Sequence, residues 1–165
     1  MDNSRSFKLP SLPSDTASSA LDPSVVCPPC GKCCRYVSVG IDSPSTVGRV
    51  STIIWLLYHR TLSVYQSHEG DWFLIVPTEC ENLRPNGLCG VYENRPFICR
   101  DYDTDGCEGT STEPAEKKKF EDARSFVSWL SRDKSGLFAR CLRAGIVPPD
   151  VLPPGALPSE LSADF

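Results

Sequence analysis

Apolar positions recur at helical spacing in two stretches of the chain, and short β-branched or aromatic runs lie between them. In STVGRVSTIIWLLYHR, residues 45–60, Val47, Val50, Ile53, Ile54, Leu57 and Tyr58 fall on one face of a 3.6-residue helix. Ser43 and Pro44, just ahead, suit a cap and a first-turn proline. LSVYQ and WFLIVP flank SHEGD, which predicts a β-hairpin around a Gly-containing turn. Pro85-Asn86-Gly87 marks a second tight turn, between Cys80 and Cys89. Farther on, PAEKKKFEDARSFVSWLSRDK, residues 114–134, carries Phe120, Ala123, Val127 and Leu130 at helical spacing, with Phe126 widening the stripe. With Pro114 in its first turn, this predicts the longest helix, in which Lys117–Lys119 form a solvated face. A shorter helix over 136–144 carries Cys141, read as a small packing residue. Trp55, Trp72 and Trp129 belong to three of these elements, and core packing is the expectation for each.

The ends of the chain lack such periodicity. Residues 1–26 are rich in Ser, Pro and Asp and read as a flexible N-terminal arm. Residues 145–165, with Pro148, Pro149, Pro153, Pro154 and Pro158, read as a Pro-rich tail without a packed core. Residues 27–144 are left as one small α+β domain of two to three helices and short β-hairpins. Its apolar inventory is small, so metal ligation is expected to hold it together. No apolar signal region follows Arg5 or Lys8, and Asp2, Asp15 and Asp22 break a transit-peptide pattern. The longest apolar run, Ile53 to Tyr58, is far short of the roughly 20 residues that span a bilayer. The expectation is a soluble, cytoplasmic protein with no membrane partner. A net charge of −4 supplies no basic field for nucleic acid, which is not expected as a partner.

Cysteine usage changes the picture most. The stretch CPPCGKCCRYV holds Cys27, Cys30, Cys33 and Cys34, and the whole chain has 9 cysteines. Disulfides need an oxidising compartment, the odd count leaves one thiol over, and adjacent Cys33 and Cys34 suit strained bridges poorly. Metal is the better reading. Spacing of C-x2-C-x2-C lets the chain curl so that successive sulfurs face one ion, with Gly31 free to take positive φ at the bend. Side chains of adjacent residues diverge, so Cys33 and Cys34 serve two metals, or one of them ligates while the other packs. A dispersed group follows: Cys80, Cys89, Cys99 and Cys107. Together the groups suit two four-thiolate zinc sites, or one four-cysteine iron–sulfur cluster plus a second site. The bacterial ferredoxin run places its fourth cysteine three residues later and before Pro. Here Cys34 follows at once and precedes Arg35.

Lys32, Arg35, Arg84, Arg95 and Arg100 are interleaved with the cysteines and suit the net negative charge of a thiolate-bound metal. Arg95 and Arg100, bracketing Cys99, are the candidates to support it directly, while Lys32 reads as surface charge. Tyr92 fits either the core or the side of a metal site. His59 suits a helix C-terminus and His68 an exposed turn, so neither is needed as a ligand. Asp101, Asp103 and Asp105 lack the spacing and terminal Glu of a calcium loop. No nucleophile-elbow or phosphate-cradling motif is present.

CPPCGKCC followed by CENLRPNGLCGVYENRPFICRDYD resembles the YkgJ-like CxxCxxCC cysteine-cluster family over roughly residues 27 to 107. Cys80, Leu83, Gly87, Cys89, Tyr92, Arg95, Pro96, Cys99 and Arg100 stand at the matching places. The resemblance implies chelation of zinc or iron, with the iron in an iron–sulfur cluster as one form. It also implies a ligand set of Cys27, Cys30, Cys33, Cys34, Cys80, Cys89, Cys99 and Cys107. It implies no particular reaction. Three kinds of function therefore stand side by side. One is an iron–sulfur protein acting as an electron carrier or accessory oxidoreductase component with an electron-transfer partner. A second is a zinc-stabilised module that presents a surface to a protein partner. The third is a metalloenzyme whose open coordination position appears if Cys107 does not ligate.

Overall fold

A computed structural model describes residues 31–101, 114 and 116–155. The expected N-terminal arm, Cys27, Cys30, Cys107 and the end of the tail lie outside the described residues. In chain order the described elements are β1 (Tyr36–Ile41), α1 (Val47–Leu57), β2 (Ser63–Ser67), β3 (Trp72–Pro77), α2 (Phe97–Asp101), β4 (Glu116–Phe120), α3 (Ala123–Asp133) and α4 (Ser135–Arg143). The strands form one antiparallel sheet in the order β1-β3-β2-β4, so the chain is α+β, as its pattern predicts. No helix among the described residues is long and apolar enough to cross a membrane.

Helix α1 buries Val50, Ile53, Ile54 and Leu57, the expected stripe, while Tyr58 stays largely exposed at its C-terminal cap. Thr46 caps the helix, its hydroxyl accepting from the Arg49 N–H at 3.3 Å, so the start lies past the predicted Ser43-Pro44 pair. Trp55 departs from the core expectation and is 60% exposed. It occupies the flank opposite the stripe, edge-on to His59. The hairpin forms as predicted: the Ser67 N–H donates to the Asp71 carbonyl at 2.9 Å, and Gly70 supplies the positive φ of the turn.

The long helix predicted over 114–134 is split. Residues Glu116–Phe120 are strand β4, paired to β2 with Val64 opposite Phe120, and α3 begins only at Ala123. Asp122 ends the strand and caps the helix, accepting from the Ser125 N–H at 2.7 Å. The lysine run is therefore not a helix face. It lies on a sheet edge, with Lys117 and Lys119 exposed and Lys118 reaching Asp133 at 3.2 Å. The physical reason is tertiary: as a strand, the segment delivers Phe120 to the core face beside Val64. Strand β1 had no counterpart in the sequence reading, although Val37, Val39 and Ile41 alternate along it.

Register places Ile41, Trp72, Leu74, Val64 and Phe120 on one sheet face, α1 and α3 pack against that face, and α4 packs on both of those helices. Phe126, Ile53, Leu130, Val50, Val64, Val127 and Cys141 are fully buried there. Trp72, Phe120, Phe126 and Trp129 form an aromatic cluster with ring centroids 5.4 to 6.3 Å apart. The Pro-rich segment begins inside the fold, contrary to a tail starting at residue 145. Val147 and Val151 are buried, and the Tyr58 hydroxyl donates to the Asp150 carboxylate at 3.0 Å.

Phe126→Ala removes the ring at the centre of the aromatic cluster and is expected to lower unfolding free energy by about 3–5 kcal/mol, read by urea denaturation. A second outcome concerns Cys141. Burial raises its thiol above the ordinary value of 9.0, with Arg140 acting weakly the other way. Below that ordinary value both folded and unfolded chains hold the proton. Above it the unfolded chain loses the proton first, so stability falls as pH rises through and beyond 9.0. Cys141→Ala should flatten that part of the stability–pH curve, at a packing cost of roughly 1 kcal/mol.

Candidate metal centre

The β1–β3 ladder does not stop at the strand ends. Beyond Tyr36 and Pro77, the Thr78 N–H donates to the Arg35 carbonyl at 3.0 Å, and the Cys80 N–H to the Cys34 carbonyl at 2.8 Å. Cys34 of the early group and Cys80 of the late group are thus stitched together by main chain. Arg35 and Glu79 face each other across this extension at 2.7 Å. Both are more than half exposed, so the pair is worth about 0–1 kcal/mol and aligns more than it stabilises. Arg35 is one of the five interleaved cations suited to the thiolate charge, and its partner Glu79 is not among the candidates that the sequence singles out. The visible signal was its position: Cys34-Arg35 and Glu79-Cys80 are mirror images in sequence.

Lys32–Cys34 form a single 3-10 turn, closed by the Cys34 N–H on the Gly31 carbonyl at 3.1 Å. Gly31 has φ 58, and a methyl there would meet Leu83 Cδ1 at 2.9 Å. Leu83 belongs to the second loop, so this buried glycine is where the two cysteine loops touch. That second loop is a knuckle. The Leu83 N–H donates to the Cys80 carbonyl at 2.9 Å, and Leu83 bridges to Cys89 across the turn. Arg84 N–H to Leu88 carbonyl and Gly87 N–H to Arg84 carbonyl, both 2.9 Å, close the predicted Pro85-Asn86-Gly87 turn, with Gly87 at φ 79.

Cys99 sits in the short α2, its N–H donating to the Pro96 carbonyl at 3.0 Å. Arg95 is anchored on Tyr92, with its guanidinium 3.8 Å from the ring centroid and its Nε donating to the Tyr92 carbonyl at 2.9 Å. Tyr92 is half-buried and serves as a platform for that arginine. Arg100 is exposed on α2. Both histidines engage main chain, His59 Nδ1 3.0 Å from the Trp55 carbonyl and His68 Nε2 3.2 Å from the Pro114 carbonyl.

Of the eight predicted ligands, Cys33, Cys34, Cys80, Cys89 and Cys99 are described, and none of these five is in a disulfide. Burial raises the Cys34 thiol above its usual range, and negative charge on Cys80, Cys89 and Cys99 pushes the same way, against a hydrogen bond with Cys33. These thiols therefore share one electrostatic neighbourhood at one end of the sheet. Among the described residues, no three His, Cys, Asp or Glu side chains are arranged to hold an ion. Cys27, Cys30 and Cys107 fall outside those residues. The donor chemistry nevertheless fits a thiophilic cation or cluster, because thiolates that repel one another are what such a charge neutralises.

A family model described as "CxxCxxCC: Putative zinc- or iron-chelating domain" matches residues 26–126, more than half of the chain. No curated protein and no solved structure matches.

The contact between loops can be tested without metal. Gly31→Ala combines a left-handed backbone with the close approach to Leu83, and is expected to lower stability by about 1–2 kcal/mol. Adding Leu83→Ala should recover the steric part only, leaving a residual cost of roughly 1 kcal/mol in a double-mutant cycle.

Proposed function

The chain belongs to the CxxCxxCC family of zinc- or iron-chelating domains, and from that premise we propose that it is a metal-binding protein whose clustered cysteines hold zinc or an iron–sulfur cluster. The proposed ligands are Cys27, Cys30, Cys33, Cys34, Cys80, Cys89, Cys99 and Cys107. The observation that carries this reading is the main-chain stitch from Cys34 to Cys80, one cysteine of the compact group and one of the dispersed group. The shared electrostatics of Cys34 with Cys80, Cys89 and Cys99 support it. Bound there, either metal form supplies the positive charge that four thiolates need. The polypeptide contributes the curl of Gly31–Cys34, the knuckle of Cys80–Cys89 and the turn of α2 that presents Cys99.

A redox or accessory oxidoreductase role is the finer reading, favoured by the surface beside Cys99. Phe97 and Ile98 immediately precede that cysteine at 49% and 77% exposure. Apolar side chains at the rim of a metal centre suit the docking of an electron-transfer partner. The alternative is a zinc-stabilised interaction module, in which the same surface receives a protein and the metal is chemically silent.

Zinc, iron and acid-labile sulfide per chain, measured on untagged protein purified without oxygen, separate the two. Iron with matching sulfide and absorbance near roughly 400 nm supports the redox role, and colourless protein carrying about two zincs supports the module. Cys30→Ser should lose metal and lower amide protection across 80–99. Retention of full metal content by that variant would remove Cys30 from the ligand set and the reading with it.

A further inference from the structure

Among the described residues the sheet has two edges, and they are defended differently. Strand β4 carries Lys117, Lys118 and Lys119, and its register with β2 shifts at Gln66/Ser67. Lysines and a bulge are the usual devices that stop an edge from pairing with another chain. Strand β1, YVSVGI, has no charged residue and no proline. Its phase is fixed by the Thr78 N–H on the Arg35 carbonyl, one pair before Tyr36 and Pro77. In an antiparallel ladder hydrogen-bonded pairs alternate, so Val37, Val39 and Ile41 bond to β3. The main-chain groups of Ser38 and Gly40 point outward along the edge. Val37 and Val39 lie on the core face of the sheet yet are 49% and 46% exposed.

We propose that β1 pairs antiparallel with β1 of a second copy of this chain, joining two sheets about a twofold axis at Val39. In that register Ser38 of each copy exchanges hydrogen bonds with Gly40 of the other. Val39 meets Val39 in a close, non-hydrogen-bonded pair, and Val37 meets Ile41 of the second copy. The ends are also complementary. Arg35 with its partner Glu79, at the start of β1, comes beside Asp42 with its partner Arg49, just past the end. Charges of alternating sign thus flank an apolar centre on both sides. The same operation on β4 sets lysine against lysine, so only the β1 edge is self-complementary. Cys34 precedes β1, so the two metal centres fall at opposite ends of the shared strand pair and each stays within its own copy.

Sedimentation velocity on the full, metal-loaded chain across a dilution series tests this, together with amide hydrogen exchange. The expected result is a reversible dimer with protected Ser38 and Gly40 amides. Val39→Lys sets two ammonium groups opposite each other and should weaken the dimer roughly tenfold or more while leaving circular dichroism unchanged. Ser38→Pro, which deletes an outward donor, should do the same and guards against a fold defect peculiar to the lysine variant. A monomer at every concentration overturns the proposal, as does a dimer that both variants leave intact. Protection of Ser38 and Gly40 that persists in monomeric protein also overturns it, and assigns the edge to another segment of the same chain.

Discussion

Antiparallel pairing between β1 and β3 serves two tasks that the sequence keeps far apart. On the core side it sets Ile41 against Trp72 and Val39 against Leu74, extending the face on which α1 and α3 pack. Past Tyr36 and Pro77 the same ladder runs on into Arg35, Thr78, Cys34 and Cys80. Arg35 and Glu79 are 44 residues apart in sequence, and bringing such segments together costs closure entropy that local contacts cannot supply. Burial of the sheet face beneath α1 and α3, with α4 packed on both helices, supplies it. A hydrophobic core thus does the long-range work that places one thiol group beside the other.

The two halves of the molecule are stabilised by different means. Buried apolar side chains run from Val50 to Trp72 and from Phe120 to Val151, and residues 78–101 contribute none. That segment is held by turns, by the Leu83–Cys89 bridge and by Arg95 on Tyr92. Each such contact is worth on the order of 1 kcal/mol, so the cysteine loops are open to adjustment in a way the core is not. The sequence reading assigned metal to the stability of the whole domain. In the structure the apolar cluster contains none of the described proposed ligands, Cys33, Cys34, Cys80, Cys89 and Cys99, which lie in the loops and in α2.

Much of this was legible before the structure, and the misses share a cause. α1, the hairpin and the Pro85-Asn86-Gly87 turn were readable because local signals and tertiary demands agree there. At PAEKKKF they disagree. Lysine and glutamate favour helix, but β2 offers an unpaired edge and the core needs Phe120 beside Val64 and Trp72. Only a partner strand distant in sequence decides that contest. β1 was overlooked because its two valines and isoleucine look weak beside the cysteines that precede them. Its pairing with β3 is equally non-local. Trp55 shows the converse error: a large aromatic suggests core, yet the helical phase set by Val50, Ile53, Ile54 and Leu57 already placed it on the far side. Of the candidate site, the cysteines and the knuckle turn could be read directly. The Gly31–Leu83 contact and the Arg35–Glu79 pair could not, since each joins loops whose proximity the sheet alone creates.

The same geometry limits what a bound metal has to accomplish. A metal bound only by the folded chain stabilises it by its binding free energy, less the cost of whatever ordering the ligand loops still need. The strand pairing has already closed the long loop between Cys34 and Cys80 in the folded state, and Gly31 seated on Leu83 brings the two turns into contact. For the proposed ligands, what would remain is short-range: to fix thiols that share a neighbourhood, and to cancel the repulsion that, together with burial, holds the Cys34 proton on. Affinity then depends on how nearly the sheet presents the sulfurs in ligating positions. Such a division lets the core tolerate change in the loops, and leaves the loops free to adjust without disturbing the core.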